Sequence, residues 1–251
     1  MKNIILLLFL FISAYSNIEP DENEQIIVNI YYDKENKNYK LDESANVDEN
    51  ATAYAIYNRS YERTGWDFLA ISTYDKKDDK YDDSDKAYAM GFLEGYLTKD
   101  KIYSYFMSMK HFLFYENNII IPENLIKFFK INIEYMKDKS LKNKNSDKYW
   151  EHVYYIYRQW EGLYAGYLKA AEEKEIFELY EFFILSSIAD SMDAIYYQAP
   201  ENIPNLYEMK HEEVSRFILL RSHCSALIKL AEDFSDIWFG HNTWHTYTSY
   251  V

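Results

Sequence analysis

AYAMGFLEGYL, Ala87 to Leu97, carries two glycines four residues apart, and the chain repeats the arrangement further on as EGLYAGYL, Glu161 to Leu168. Positions i and i+4 of a helix lie one above the other, so Gly91 and Gly95 share a face, as do Gly162 and Gly166. Small residues at that spacing are chiefly a packing device that lets another backbone come close. The spacing predicts two tightly packed core helices, GFLEGYL against GLYAGYL, in a helical layer at the middle of the chain.

The flanking segments extend that layer. PENLIKFFKINIEYM, Pro122 to Met136, begins with proline at a first-turn position and reads as a helix, with Lys137 to Asp147 as a polar linker after it. In YWEHVYYIYRQWEGLYAGYL, the residues Trp150, Val153, Tyr154, Tyr157, Glu161 and Tyr164 fall on one stripe of period 3.6 that continues to Leu168, with Trp160 at its edge. IFELYEFFILSSIADSM repeats the pattern through Ile176, Leu179, Tyr180, Phe183, Ile184, Ser187 and Ile188. Pro200 and Pro204 then end the helical region.

Strands are expected on either side. QIIVNIYY (25–32), ATAYAIYN (51–58) and WDFLAIST (66–73) are short, rich in β-branched and aromatic residues, and separated by Asp, Asn and Gly. The aspartate-rich DKKDDKYDDSD (75–85) lacks the central glycine and closing glutamate of an EF-hand loop, so it reads as a solvated loop ending at a helix N-terminus. After the prolines, SRFILLRS is read as extended and leads into CSALIKL, where Cys224, Ala226, Ile228 and Leu230 alternate with Ser225, Leu227 and Lys229. DIWFGHNTW (236–244) supplies a second strand, and the pair predicts a hairpin. The fold class is α+β, with N-terminal strands, a central helical layer and a C-terminal hairpin.

Residues 1–16, MKNIILLLFLFISAYS, read as a secretory signal peptide: one lysine, a short apolar run, and Ala14 and Ser16 at small-residue cleavage positions. The apolar run is about half of the ~20 residues needed to span a bilayer, so no membrane span is expected. The remaining chain can build a substantial core, and 27 Tyr with 15 Phe imply a core of rings. A net charge of −14 argues against nucleic acid as partner, since that requires clustered Lys and Arg. Two sequons, at Asn50 and Asn58, fit an exported glycoprotein destined for secretion or the lysosomal lumen.

Cys224 is the single cysteine, so no intrachain disulfide can form. An unpaired thiol in an exported protein is an interchain bridge, a buried small hydrophobe or a reactive group. As a nucleophile it needs a base, because a thiol of ordinary pKa (about 8.5) is only a few per cent ionised at neutral pH. Imidazole from His223, His241 or His245 is one source. Cleavage of the 223–224 peptide bond is another, since it would give Cys224 an α-amine of pKa roughly 7.7–8.0 beside its own sulfur. The C-terminal histidines have no zinc spacing, and neither metal nor cofactor is expected.

HCSALIKL followed by WFGHNTWHTYTSY resembles the nucleophile region of the phospholipase B-like family, within the N-terminal-nucleophile hydrolases. GWDFLAIST, AYAMGFLEGYLT and YWEHVYYIYRQWEGLYAGYL match further blocks in the family's order, so the resemblance covers most of the chain from about residue 66 onward. It implies an αββα sandwich, here partial, and self-cleavage between His223 and Cys224. Residues 17–223 would then form the N-terminal part, and 224–251 the start of the nucleophile-bearing chain. It also implies Cys224 as nucleophile, His241 and Trp244 beside it, Asn242 as a substrate contact, and an acyl lipid or other acyl amide or ester as substrate. The family continues well beyond its nucleophile and draws oxyanion-stabilising groups from there, whereas position 251 follows soon after Cys224. The expectation is a truncated or split product that pairs with a separate C-terminal half or with a second copy. A non-catalytic exported glycoprotein is the alternative.

Overall fold

The two glycine faces meet. In the computed structural model, which describes residues 25–44, 46–74, 81–111, 123–188, 190, 191, 194, 204–219 and 224–243, helix α2 (Asp83–Leu97) packs against helix α5 (Lys148–Ala170). A methyl group added to Gly91 would collide with the Gln159 carbonyl, approaching its carbon to 2.8 Å, and one on Gly95 would collide with the Leu163 carbonyl. Gly162 and Gly166 are blocked reciprocally by the carbonyls of Tyr88 and Phe92. Backbone therefore touches backbone at all four glycines, and no side chain can rotate away to make room.

The chain divides into two compact units, residues 1–99 with 134–176 and residues 100–133 with 177–251. The first holds an antiparallel sheet of order β2-β1-β3-β4, formed by β1 (Gln25–Asp33), β2 (Asn38–Asp42), β3 (Ala53–Asn58) and β4 (Phe68–Ser72). A single turn of helix, α1 (Tyr61–Thr64), joins β3 to β4 and ends at Gly65 in the left-handed conformation. The register puts Val28, Ile30, Ala53, Ala55 and Tyr57 on one face, where they bury against Ala89, Leu93 and Leu97 of α2. Three of these are alanines with no exposed surface, so the helix lies close on the sheet.

The other sheet face is pinned by Asn29, which is fully buried. Its Nδ2 donates to Ser44 Oγ and to the Asn46 carbonyl, both at 2.9 Å, and its Oδ1 accepts from the Asp48 amide at 2.9 Å. Every polar atom of that side chain is matched, as burial requires. Helix α2 starts with a reciprocal cap: Asp82 Oδ1 accepts from the Asp85 amide at 2.8 Å, and the Asp85 carboxylate accepts from the Asp82 amide at 3.4 Å.

The second unit contains most of α3 (Lys99–Lys110), the start of α4 (Glu123–Asn143), and α6 (Leu179–Ser186), α7 (His211–Leu219), β5 (Cys224–Leu230) and β6 (Ile237–Thr243). Phe177 stacks on Phe106 with centroids 4.0 Å apart, and Leu125, Phe129 and Ile184 form a small buried cluster. The α+β order of N-terminal strands, helical layer and C-terminal hairpin is thus present.

Four local expectations need correction. Strand β2 has no counterpart among the expected strands; its residues alternate exposed and half-buried, with Tyr39 and Leu41 turned toward the core. The segment read as a linker from Lys137 is helix as far as Asn143, because its lysines and Asp138 solvate a helix surface as readily as a loop. SRFILLRS is not extended at its start. Residues to Leu219 belong to α7, where Glu212 and Glu213 favour the positive end of the helix and Glu213 accepts from the Lys210 amide at 2.8 Å. In α5 the expected stripe is buried at Tyr157 and half-buried along the rest, but the other fully buried residues, Gly162, Gly166 and Tyr167, lie off it, so the helix is also covered on its glycine side. The leader 1–16, residues 75–80 of the aspartate-rich loop, Pro122 and Pro200 lie outside the described residues.

Candidate active-site hairpin and its relatives

Strands β5 and β6 pair antiparallel in the register Cys224 to Thr243, Ala226 to His241, Ile228 to Phe239 and Leu230 to Ile237. Residues directly opposite share a face and successive residues alternate. Cys224, Ala226, Ile228 and Leu230 therefore lie on one face together with His241, Phe239 and Ile237, while Ser225, Leu227 and Lys229 lie on the other with Asn242, Gly240 and Trp238. The connection closes through an Ala231 amide to Asp236 carbonyl bond of 2.9 Å, and Asp233 accepts from the Ser235 amide and hydroxyl. Phe234 adopts a left-handed φ of 59° within that turn.

The register places His241 diagonal to Cys224 on one face. Diagonal neighbours are about 7–8 Å apart, within reach of an imidazole. It places Asn242, the expected substrate contact, on the opposite face. Cys224 is a free, exposed thiol at the first residue of its strand. His223 and Trp244 lie outside the described residues. Among the described residues, no three His, Cys, Asp or Glu side chains cluster as metal ligands, and no helix is long and apolar enough to cross a membrane.

Large apolar side chains stand bare on both faces of this hairpin. Ile228 and Phe239 are 74% and 82% exposed on the thiol face, and Leu227 and Trp238 are 69% and 53% exposed on the other. A two-stranded ribbon without cover is marginal at best in water. Of the sequons, Asn50 is exposed, whereas Asn58 is only 7% exposed at the end of β3, so Asn50 is the accessible acceptor of the two.

A second constellation has no signature in any single stretch of sequence. In the first unit, an open cleft of about 890 Å³ runs between β1, β2, α2 and α5. Tyr32, Tyr39 and Tyr88 stack along it with centroids 4.7 and 4.5 Å apart, and the Arg158 guanidinium lies 4.5 Å from the Tyr88 centroid. Arg158 is also paired with Glu161 through Nη1, while its Nε is buried without a hydrogen-bond partner. Burial, reinforced by Asp85, pushes the Tyr39 phenol far above its ordinary value, and burial with Glu161 raises Tyr88. Both phenols therefore remain protonated. The signal is split between an edge strand and a helix whose charged pair sits three residues apart.

The profile of the family described as Phospholipase B matches residues 53–251. The chain belongs to the phospholipase B family. Phospholipase B-like protein D of Dictyostelium discoideum is 30% identical over 91% of this chain and 39% of its own length. Phospholipase-B 81 of Drysdalia coronoides is 31% identical over 81% and 36%, and Phospholipase B-like 1 of Homo sapiens 30% over 81% and 35%. The chain thus spans between 35% and 39% of the length of these relatives. The matched span includes α2, α5 and the whole hairpin with Cys224.

Proposed function

We propose that this chain carries the nucleophile of a hydrolase that cleaves acyl ester or amide bonds of lipids. The observation that supports this most is an exposed thiol at the first position of β5, inside the family match, with an imidazole on the same strand face. In the maturation step, Cys224 Sγ attacks the carbonyl carbon of His223, the acyl group passes from nitrogen to sulfur, and water hydrolyses the resulting thioester. This frees the His223 carboxylate and the Cys224 α-amine. In turnover, the α-amine takes the thiol proton as sulfur attacks the acyl carbonyl and then donates it to the leaving alcohol or amine. Water releases the acid from the second thioester. His241 orients or polarises from the same face, Trp244 bounds the pocket, and Asn242 contacts substrate after rearrangement or from a neighbouring segment. The leader and the exposed Asn50 sequon support a secreted or lysosomal glycoprotein.

The bare hairpin faces favour a second reading, in which the chain is a non-catalytic glycoprotein scaffold until another polypeptide, a C-terminal half or a second copy, covers them. Cys224→Ala and Cys224→Ser decide between the two, with hydrolysis of a chromogenic acyl ester and of a lysophospholipid as readouts. A hydrolase loses at least about 10³-fold in turnover on Cys224→Ala. Equal rates in wild type and Cys224→Ala contradict the nucleophile, and no turnover in either supports the scaffold reading.

A further inference from the structure

The cleft of the first unit has the composition of a ligand site and a charge opposite to that of the chain. Its cationic groups are Lys37, Arg158 and Lys169, against Glu161 alone among the carboxylates that line it. Lys40 also borders the cleft, but the pleat of β2 turns its side chain away from the face that carries Tyr39 and Leu41. Local charge is therefore positive in a chain whose net charge is −14. Outside the lining, Asp82 and Asp33 act on Tyr32, but the acid acting most on Tyr32 and Tyr39 is Asp85, at the N-terminus of α2, which is 8% exposed. It is held in the helix cap and does not face the opening as a free carboxylate.

The apolar part of the wall is aromatic. Tyr32, Tyr39 and Tyr88 form a continuous ring stack, Phe92 extends it at 6.3 Å from Tyr88, and Leu41 and Leu168 add aliphatic surface beside the charged groups. A volume of about 890 Å³ falls in the range of small-molecule pockets, which combine an apolar lining with a few convergent polar groups. Arg158 is held by stacking on Tyr88 and by Glu161, so its planar fork is preorganised. Lys37 stands at the tip of the β1–β2 turn in a left-handed conformation of φ 51°, and Asp33 fixes that turn by accepting from the amides of Glu35 and Asn36.

We infer that this cleft binds an organic anion, a carboxylate or phosphate head group on an apolar body, with the head at Arg158 toward Lys37, the body along the tyrosine stack, and Lys169 adding positive charge at the far end of the cleft. The inference goes beyond the hydrolase reading and does not depend on Cys224, which belongs to the other unit. A fatty acid and an alkyl phosphate share this chemistry. Calorimetric titration of the whole chain with octanoate, octyl phosphate, octyl glucoside and inorganic phosphate separates the sources. At least one of the two alkyl anions should saturate a single site, and the tighter one identifies the head group. Octyl glucoside and inorganic phosphate should each bind at least about tenfold more weakly, and raised salt should weaken the anion.

Lys37→Glu combined with Lys169→Glu changes only exposed side chains, so the fold should persist by circular dichroism while anion affinity falls about tenfold. Cys224→Ala should leave affinity unchanged, including in a preparation that has lost hydrolysis. Equal binding of octyl glucoside would reduce the site to apolar adsorption, and equal binding of inorganic phosphate would remove the role of the tyrosine wall. Absence of binding by both alkyl anions, or full affinity after charge reversal, would overturn the proposal.

Discussion

Replacing Gly91 by alanine tests the helix crossing on which the first unit is built, because two effects of known size oppose each other. Alanine favours a helix interior over glycine by about 1 kcal/mol, so propensity alone predicts stabilisation. The added methyl, however, would lie 2.8 Å from the Gln159 carbonyl carbon and 2.9 Å from the Leu163 amide nitrogen, both backbone atoms. The Gln159 carbonyl oxygen is closer still, so restoring ordinary contact at 3.4 Å requires α2 and α5 to separate by more than about 1 Å, and gaps of about 0.5–1 Å already forfeit a quarter to a half of each dispersion contact. The displaced helix would press into a sheet face lined by Ala53, Ala55 and Val28, all without exposed surface. Overpacking of this kind costs about 1–3 kcal/mol, and the rigidity of the obstacle places Gly91→Ala at the upper end. The net expectation is a loss of about 2 kcal/mol after the propensity gain is subtracted. Urea unfolding followed by far-ultraviolet circular dichroism reads it, with Gly240→Ala as a control whose methyl meets no atom within 4 Å. The control should shift stability by no more than about 0.5 kcal/mol. A Gly91→Ala protein as stable as wild type, or more so, would refute the close crossing.

Asp82→Ala removes one half of the cap that begins α2 and should cost about 1 kcal/mol, measured by the same unfolding. Burial opposes ionisation of Asp82, but the Ser84 hydroxyl and the amides of Asp85 and Ser84 outweigh it and hold the pKa below its usual value. The contribution from its ionised form is therefore present above the unfolded carboxylate pKa and lost as pH falls through the lowered folded one, so the Asp82→Ala deficit should shrink below about pH 4. Glu94 behaves with the opposite sign: burial raises its pKa, so the folded state disfavours its charge at neutral pH. Glu94→Gln should raise the melting temperature at neutral pH, and the advantage should vanish as acid protonates Glu94 in the wild type. An unchanged difference between the two proteins across pH 3–7 would contradict the burial of that carboxyl.

Periodicity alone predicts the glycine crossing, because four glycines at matching spacing have few other uses in helices rich in large residues. The three longer N-terminal strand segments are legible for a similar reason, since their alternation survives at the level of single residues. NYKLD (Asn38–Asp42) is not, because an edge strand with one polar face looks like the charged turn that precedes it. The α7 segment is ambiguous because the four apolar residues of FILL fit either state, and only the glutamates upstream favour a helix. Of the site, the thiol and its strand are visible in the pattern of CSALIKL, and the pairing of Cys224 with His241 on one face follows from register, which turn length sets and sequence alternation does not. The tyrosine cleft is hidden because Tyr39, Tyr88 and Arg158 come from segments far apart in the chain, and each alone resembles core or surface.

The nucleophile is tested most directly by intact-mass and N-terminal analysis of the purified chain before and after incubation at acidic pH. A fragment beginning with Cys224 and bearing a free α-amine should appear, and it should be absent from a Cys224→Ala preparation. A wild-type chain that remains joined across residues 223 and 224 while hydrolysing acyl esters would contradict the N-terminal nucleophile.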